Sequence, residues 1–282
     1  HRATGPSGAG KSSFLRAGLL PTLTDGWQAI VTTPGDRPFG HLAHSLADEL
    51  GEAPGVTDLL QRIEEPEVAL ELLSEWRKRS QHALLIVDQF EELFTQNSED
   101  IQERLAELLG RLPLEADLFV LLSMRDDFLF HCHRFEAFQP ILSDLTLLGP
   151  PTGASLRRAL VEPALRSGYR FEEESIVEEM LAEVEGERGA LPMVAFTAAS
   201  LWEERDRETG FLTKEAYEAI GGVGGALAQH AESTLQQIGE ERIPIVRELF
   251  RNLVTAQGTR AARDREELLS VFAETAPTDV GA

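Results

Sequence analysis

The chain has 282 residues, with 48 acidic side chains against 26 lysines and arginines, a formal net charge of −22. At 42% hydrophobic and 26% charged residues it has the make-up of a folded globular chain and excludes a disordered one. So acidic a surface repels a phosphate backbone at long range, which disfavours nucleic acid or an anionic membrane as the main partner.

In chain order the first half alternates strand and helix signals. Only His1, Arg2, Ala3 and Thr4 precede a glycine-rich stretch at 5–12, so the buried strand that should lead into such a loop reads as missing. With His1 in place of Met, the chain reads as a fragment of a longer protein. Residues 28–33 are predicted as a strand, closed by the turn signal Pro34-Gly35. Val68, Leu72, Leu73 and Trp76 share one helical face within 67–79. Residues 83–87 form a short apolar run of the kind buried in a parallel sheet. Ile101, Leu105, Leu108, Leu109 and Leu112 mark an amphipathic helix, and 119–123 and 145–148 are further strands. The expected fold is α/β: a three-layer domain with a parallel sheet over residues 1–150.

After Gly149-Pro150-Pro151 the pattern is helical. A short helix over 154–162 should stop near Pro163, because proline lacks the amide donor and clashes with the preceding turn. Further helices are predicted on Ile176, Val177, Met180, Leu181 and Val184, and on Val194, Ala195, Ala198, Leu201 and Trp202. Others are expected near 213–220, 226–238, 243–255 and 264–273, with Gly221-Gly222-Val223-Gly224-Gly225 as a loop or hinge.

Residues 5–12 fit G-x-x-x-x-G-K-[ST] at every position, as Gly5, Pro6, Ser7, Gly8, Ala9, Gly10, Lys11 and Ser12. Glycines let such a loop wrap a phosphate with backbone amides, and a helix starting near Lys11 aims its positive end there. The pattern assigns Lys11 to the β- and γ-phosphates and the Ser12 hydroxyl to Mg²⁺, with Ser13 next in the nucleotide-binding segment. The alternative is a chance glycine-rich turn before a helix.

In residues 84–94 an apolar strand ends in Asp88, which places a carboxylate at the sheet edge where it can hold Mg²⁺ through water. Glu91 and Glu92 follow one turn on, and either can orient an attacking water as general base. The competing reading is a strand end followed by a solvated helix N-terminus, where the dipole favours acids. Arg125, at the end of the 120–125 strand, is a candidate γ-phosphate contact; the plainer reading pairs it with Asp126 or Asp127. His131-Cys132-His133 holds metal-ligand types, but adjacent residues converge poorly on one ion, so a loop is the simpler reading. Cys132 is the sole cysteine, which forbids an internal disulfide and agrees with a reducing, cytoplasmic setting. No apolar run approaches the roughly 20 residues of a membrane span, and no signal peptide is visible.

Taken in order, residues 5–23, 87–94, 121–128, 189–202 and 212–232 resemble blocks of the STAND class of P-loop ATPases. The nearest branch is bacterial, often fused to β-propeller repeats, proteases or TIR domains, and related to NACHT and NB-ARC proteins. The resemblance implies an ATP- or ADP-binding, Mg²⁺-dependent ATPase acting as a regulatory switch. It further implies a helical lid over 151–205, whose Pro192 packs near the adenine, and a winged-helix region over 206–282. Arg125 matches the family's arginine at the end of the fourth strand. The paired arginines that members carry near 258–263 are not reproduced, since alanines follow Arg260. Sensor and effector domains and nucleotide-dependent self-association are the partners so implied.

Two other functions compete. A small-molecule or nucleotide kinase fits the loop at 5–12, which also resembles that of guanylate kinase, but not the long helical second half. A non-hydrolysing interaction module, with nucleotide cementing the fold, fits less well with Lys11, Ser12, Asp88 and two glutamates all present.

Overall fold

In a computed structural model the described residues are 2–50, 61–138, 141, 145–187, 189–254 and 268–270. The chain forms two compact units. The first comprises His1–Ser155 and Gly186–Leu191, the second Leu156–Glu185 and Pro192–Ala282.

The first unit is built on five parallel strands: β1 (Arg2–Gly5), β2 (Trp27–Thr32), β3 (His82–Val87), β4 (Phe119–Arg125) and β5 (Leu145–Leu147). Their order across the sheet is β2-β3-β4-β1-β5. The strand judged missing from the sequence is therefore present. Residues 2–5 carry no apolar run, yet they pair on both sides, with Arg2 opposite Leu122 of β4 and Leu145 of β5. Pairing with two neighbours, rather than strand propensity, makes this segment a strand.

Helices cover both faces. On one face Ile30, Leu85, Val87, Val120, Leu122 and Met124 meet the apolar stripes of α2 (Pro38–Leu50), α3 (Pro66–Arg77) and, beyond the short α4 (Glu92–Gln96), α5 (Glu99–Glu115). The stripe of α2, Phe39, Leu42, Leu46 and Leu50, has helical spacing and was legible in the sequence, but that helix was not anticipated. On the other face Leu84 and Ile86 pack with Leu15, from the helical segment that starts as α1 (Lys11–Ser13) and widens to π-helical turns over Phe14–Leu19. The result is the expected three-layer α/β core.

The second unit contains most of α6 (Ala154–Arg166), α7 (Glu174–Glu183), most of α8 (Ala190–Glu203), α9 (Lys214–Ala219), α10 (Gly222–Ile238) and α11 (Ile243–Leu253). The short strands β6 (Arg170–Phe171) and β7 (Phe211–Leu212) pair in parallel. Two expectations are corrected here. The first helix runs through Pro163 to Arg166, and the Pro163 carbonyl accepts from the Ser167 N–H at 3.2 Å. The glycine-rich stretch is not a hinge but the N-cap and first turn of α10. Glu183 holds that turn: its carboxylate accepts from the N–H groups of Val223 (3.0 Å) and Gly224 (3.2 Å) and from the Tyr217 hydroxyl (2.8 Å). A negative group at a helix N-terminus satisfies amides that have no intrahelical partner. Trp202, next to last in α8, is a packed residue, with Tyr169 at 4.8 Å and the Arg205 guanidinium 4.5 Å above its ring. The segment 258–263 and most of the helix expected at 264–273 lie outside the described residues.

Candidate nucleotide-binding site

The site lies at the C-terminal ends of the strands, where ligands of open α/β sheets bind. Residues 5–10 link β1 to α1. Gly5 passes so close to the residue after β5 that a Cβ there would sit 2.0 Å from the Leu148 carbonyl oxygen. Gly10 caps α1 with φ 82°, in the left-handed region, and a Cβ on it would also meet Leu191 Cδ2 of the same unit at 3.0 Å. These two positions demand glycine for different reasons, close approach and backbone hand. Pro6, Gly8 and Ser12 are partly buried, Ala9 is buried, and Ser7 and Ser13 are exposed.

Lys11 turns back on its own loop, donating from Nζ to the carbonyls of Gly5 (2.8 Å) and Pro6 (3.0 Å). Burial lowers its ammonium below the ordinary lysine value, an effect opposed by the charges of Glu91, Asp126 and Asp88 and reinforced by Arg125. The side chains named from the sequence on three separate segments thus share one electrostatic neighbourhood.

Asp88 follows β3 and is 1% exposed. Its Oδ1 accepts from the Gln89 N–H at 3.0 Å, while its Oδ2 is buried with no hydrogen-bond partner among the described residues. Gln89 adopts φ 52°, an uncommon conformation for a non-glycine residue and one that concentrates at functional turns. The orphaned carboxylate oxygen fits a divalent cation. Asp88 and Ser12 would hold Mg²⁺, as a carboxylate and a hydroxyl of the kind that hard cation prefers. When bound, such an ion neutralises charge on the phosphates.

The two glutamates behave differently. Glu91 Oε2 accepts from the Arg125 N–H at 3.3 Å. Burial raises its carboxyl above the ordinary value, with hydrogen bonds from its own and the Arg125 backbone N–H and the Lys11 charge acting the other way. Glu92 turns to the loop after β2, where its Oε2 accepts from the Gly35 N–H at 3.0 Å. Arg125 is level with Gly5 across the β1–β4 pair, and its guanidinium is held by Asp127, with Nε at 3.0 Å from Oδ1, and lies 5.4 Å from the Phe128 ring centre. This is the pairing that the plainer sequence reading gave. Pro192 is exposed and is the third residue of α8; it falls in the second unit, one residue after Leu191. His131 stacks among Phe94 (5.3 Å), Phe128 (5.5 Å) and Phe130 (4.1 Å), while Cys132 is buried with Sγ 3.7 Å from Met124 Sδ. Both are packing contacts.

A glycine-rich loop on a central parallel strand, with a buried aspartate at the end of a strand two places away, defines a P-loop NTPase. The sequence model of the family described as Novel STAND NTPase 1 matches residues 2–280, and the chain belongs to that family. No curated protein matches the chain. Among solved structures it is similar to the Walker-type ATPase PABY2304 of Pyrococcus abyssi, at 15% identity and TM-score 0.57, over 89% of this chain and 72% of that one. It is similar also to ORC2 of Aeropyrum pernix in ADPNP–ADP complexes, at 14% identity and TM-score 0.53, covering 100% of this chain and 80% of the other. ORC1 of Aeropyrum pernix, determined in complex with DNA, matches at 16% identity and TM-score 0.53, over 96% and 76% of the two chains. At such identities the likeness is one of fold. Among the described residues no helix is long and apolar enough to cross a membrane.

Proposed function

We propose that this NTPase is an ATP-driven regulatory switch, one module of a larger signalling or defence protein. ATP binds along residues 5–13, with Lys11 on the β- and γ-phosphates and Mg²⁺ held by Ser12 and Asp88. Glu91 acts as the general base and Arg125 reads the γ-phosphate. Residues 151–205 serve as a lid whose Pro192 contacts the adenine, and 206–282 as a winged-helix region; differential contact with ATP and ADP biases two states. Sensor and effector domains, and self-association in one nucleotide state, complete the device. The net charge of −22 keeps nucleic acid outside this reading.

The observation that carries the reading is that Lys11 lies within electrostatic reach of Asp88, Glu91 and Arg125, with Glu91 also hydrogen-bonded to the Arg125 N–H. Charged groups from the end of β3, the turn after it and the end of β4 thus gather around the lysine of the loop, which supports a site for a triphosphate and its metal. Calorimetry with ATP and Mg²⁺ tests it: Lys11→Ala should weaken binding at least tenfold, since a lysine–phosphate contact is charge-assisted. Equal affinity in both proteins would sink the proposal.

A further inference from the structure

Asp88 Oδ2 is not the sole orphaned atom at this edge of the sheet. Ser123 is 0% exposed, and its hydroxyl has no hydrogen-bond partner among the described residues. The two positions adjoin. β3 and β4 run in parallel with Val87 opposite Leu122, so Asp88 and Ser123 are the next residues of their chains beyond that pair. The Ser123 carbonyl accepts from the Phe90 N–H at 2.8 Å, which holds the turn after Asp88 against β4. Strand alternation puts Leu121 and Ser123 on the sheet face that carries Leu84, Ile86 and Leu15, the face covered by the helix that follows the phosphate loop. On its other side Ser123 is level with Ala3, two residues before Gly5. A hydroxyl in that apolar layer is costly unless something completes it, and so is the neighbouring carboxylate oxygen.

We propose that Ser123 is a positioning residue of the nucleotide site. Its hydroxyl and Asp88 Oδ2 share one water of the Mg²⁺ hydration shell, and this bridge fixes the plane of the Asp88 carboxylate. The proposal rests on reading residues 5–13 as an Mg²⁺–ATP site. Mg²⁺ retains several waters when bound, and groups outside the direct ligands orient the ligands themselves. One pair of unpaired atoms would thereby satisfy both members. An alanine at 123 would avoid the buried hydroxyl altogether, so a serine there is explained by a partner that arrives with the metal.

The test uses the 282-residue chain and its Ser123→Ala, Asp88→Asn and double variants. ATP affinity is measured by calorimetry in Mg²⁺ and in EDTA, and the nucleotide-free proteins are melted. Ser123→Ala should weaken ATP binding about 5- to 10-fold in Mg²⁺, as loss of one hydrogen bond would, and leave the affinity in EDTA unchanged. In the Asp88→Asn background it should add no further loss. The nucleotide-free Ser123→Ala chain should melt at or above the wild-type temperature, because no protein partner is removed. An unchanged affinity in Mg²⁺, an equal loss in Mg²⁺ and EDTA, or a lower melting temperature of the free protein would each overturn the proposal while wild type still binds Mg²⁺–ATP. If wild type and Lys11→Ala bind ATP equally poorly, the reading beneath the proposal is overturned, and the proposal with it.

Discussion

The carboxylate of Glu91 accepts a hydrogen bond from the backbone N–H of Arg125, which ties the turn after β3 to the last residue of β4. The two residues proposed to sense and hydrolyse the γ-phosphate are therefore linked before any ligand arrives. Glu92, its neighbour, is engaged 57 positions away in sequence with Gly35.

That difference separates the glutamates kinetically. Glu91→Gln should leave ATP binding intact and slow hydrolysis by roughly 10²–10⁴-fold, the range typical of a lost general base. Glu92→Gln should reduce turnover by far less, since its carboxylate is committed to the loop after β2. Single-turnover hydrolysis of both variants decides the matter; the reverse order would assign the base to Glu92.

Glu91 also gives the fold a pH dependence. A carboxyl whose pKa is raised on folding stabilises the protein below its unfolded value of about 4.5, and that contribution is lost as pH rises through the folded value. At neutral and higher pH the ionised, partly buried carboxylate is a net cost. Glu91→Gln should therefore melt higher than wild type at pH 8, with the advantage shrinking on acidification and absent below pH 4.5. Melting curves across pH 4–8 check this, and a glutamine variant that is less stable at pH 8 would contradict it.

The Arg125 guanidinium must exchange Asp127 for phosphate if it reads the nucleotide. Arg125→Ala should then reduce affinity for ATP more than for ADP, because only the triphosphate offers the γ-oxygens. Asp127→Asn should have the opposite sign and favour ATP. An identical loss for both nucleotides on removing Arg125 would leave it as a surface arginine bound to Asp127.

Glu183 anchors the first turn of α10 through two hydrogen bonds and ties it to Tyr217 of α9 through a third. Glu183→Ala should destabilise the second unit by about 1 kcal/mol, the usual cost of a lost helix cap. Chemical denaturation measures it. No loss would mean that solvent serves the Val223 and Gly224 amides equally well.

Much of this was legible in the sequence, for identifiable reasons. The strand leading into Asp88 is a continuous apolar run because it is covered on both faces, and the loop at 5–12 is written in residues that few other structures require. What escaped depended on partners distant in sequence. Residues 2–5 have no strand signal of their own and become β1 by lying between β4 and β5. Four glycines in five residues read as a break, yet Glu183, some forty positions earlier, supplies the anionic cap that lets a helix start there. Pro163 reads as a stop, but α6 continues past it to Arg166. Glu91 and Glu92 are indistinguishable as neighbours in a string, and only the positions of Arg125 and Gly35 tell them apart.

The two carbonyls that occupy Lys11 have an implication for how ligand affinity is to be understood. The ammonium is its own loop's occupant, so on the proposed reading a phosphate does not enter a waiting socket but displaces an internal rival. Observed affinity is then a difference between two sets of contacts, and it understates the strength of the lysine–phosphate contact by whatever Gly5 and Pro6 give up. Removing the ammonium abolishes both sides of that exchange at once. Lys11→Ala should thus unfasten the empty loop as well as weaken the filled one, and faster amide exchange at residues 5–10 in the ligand-free protein would register it.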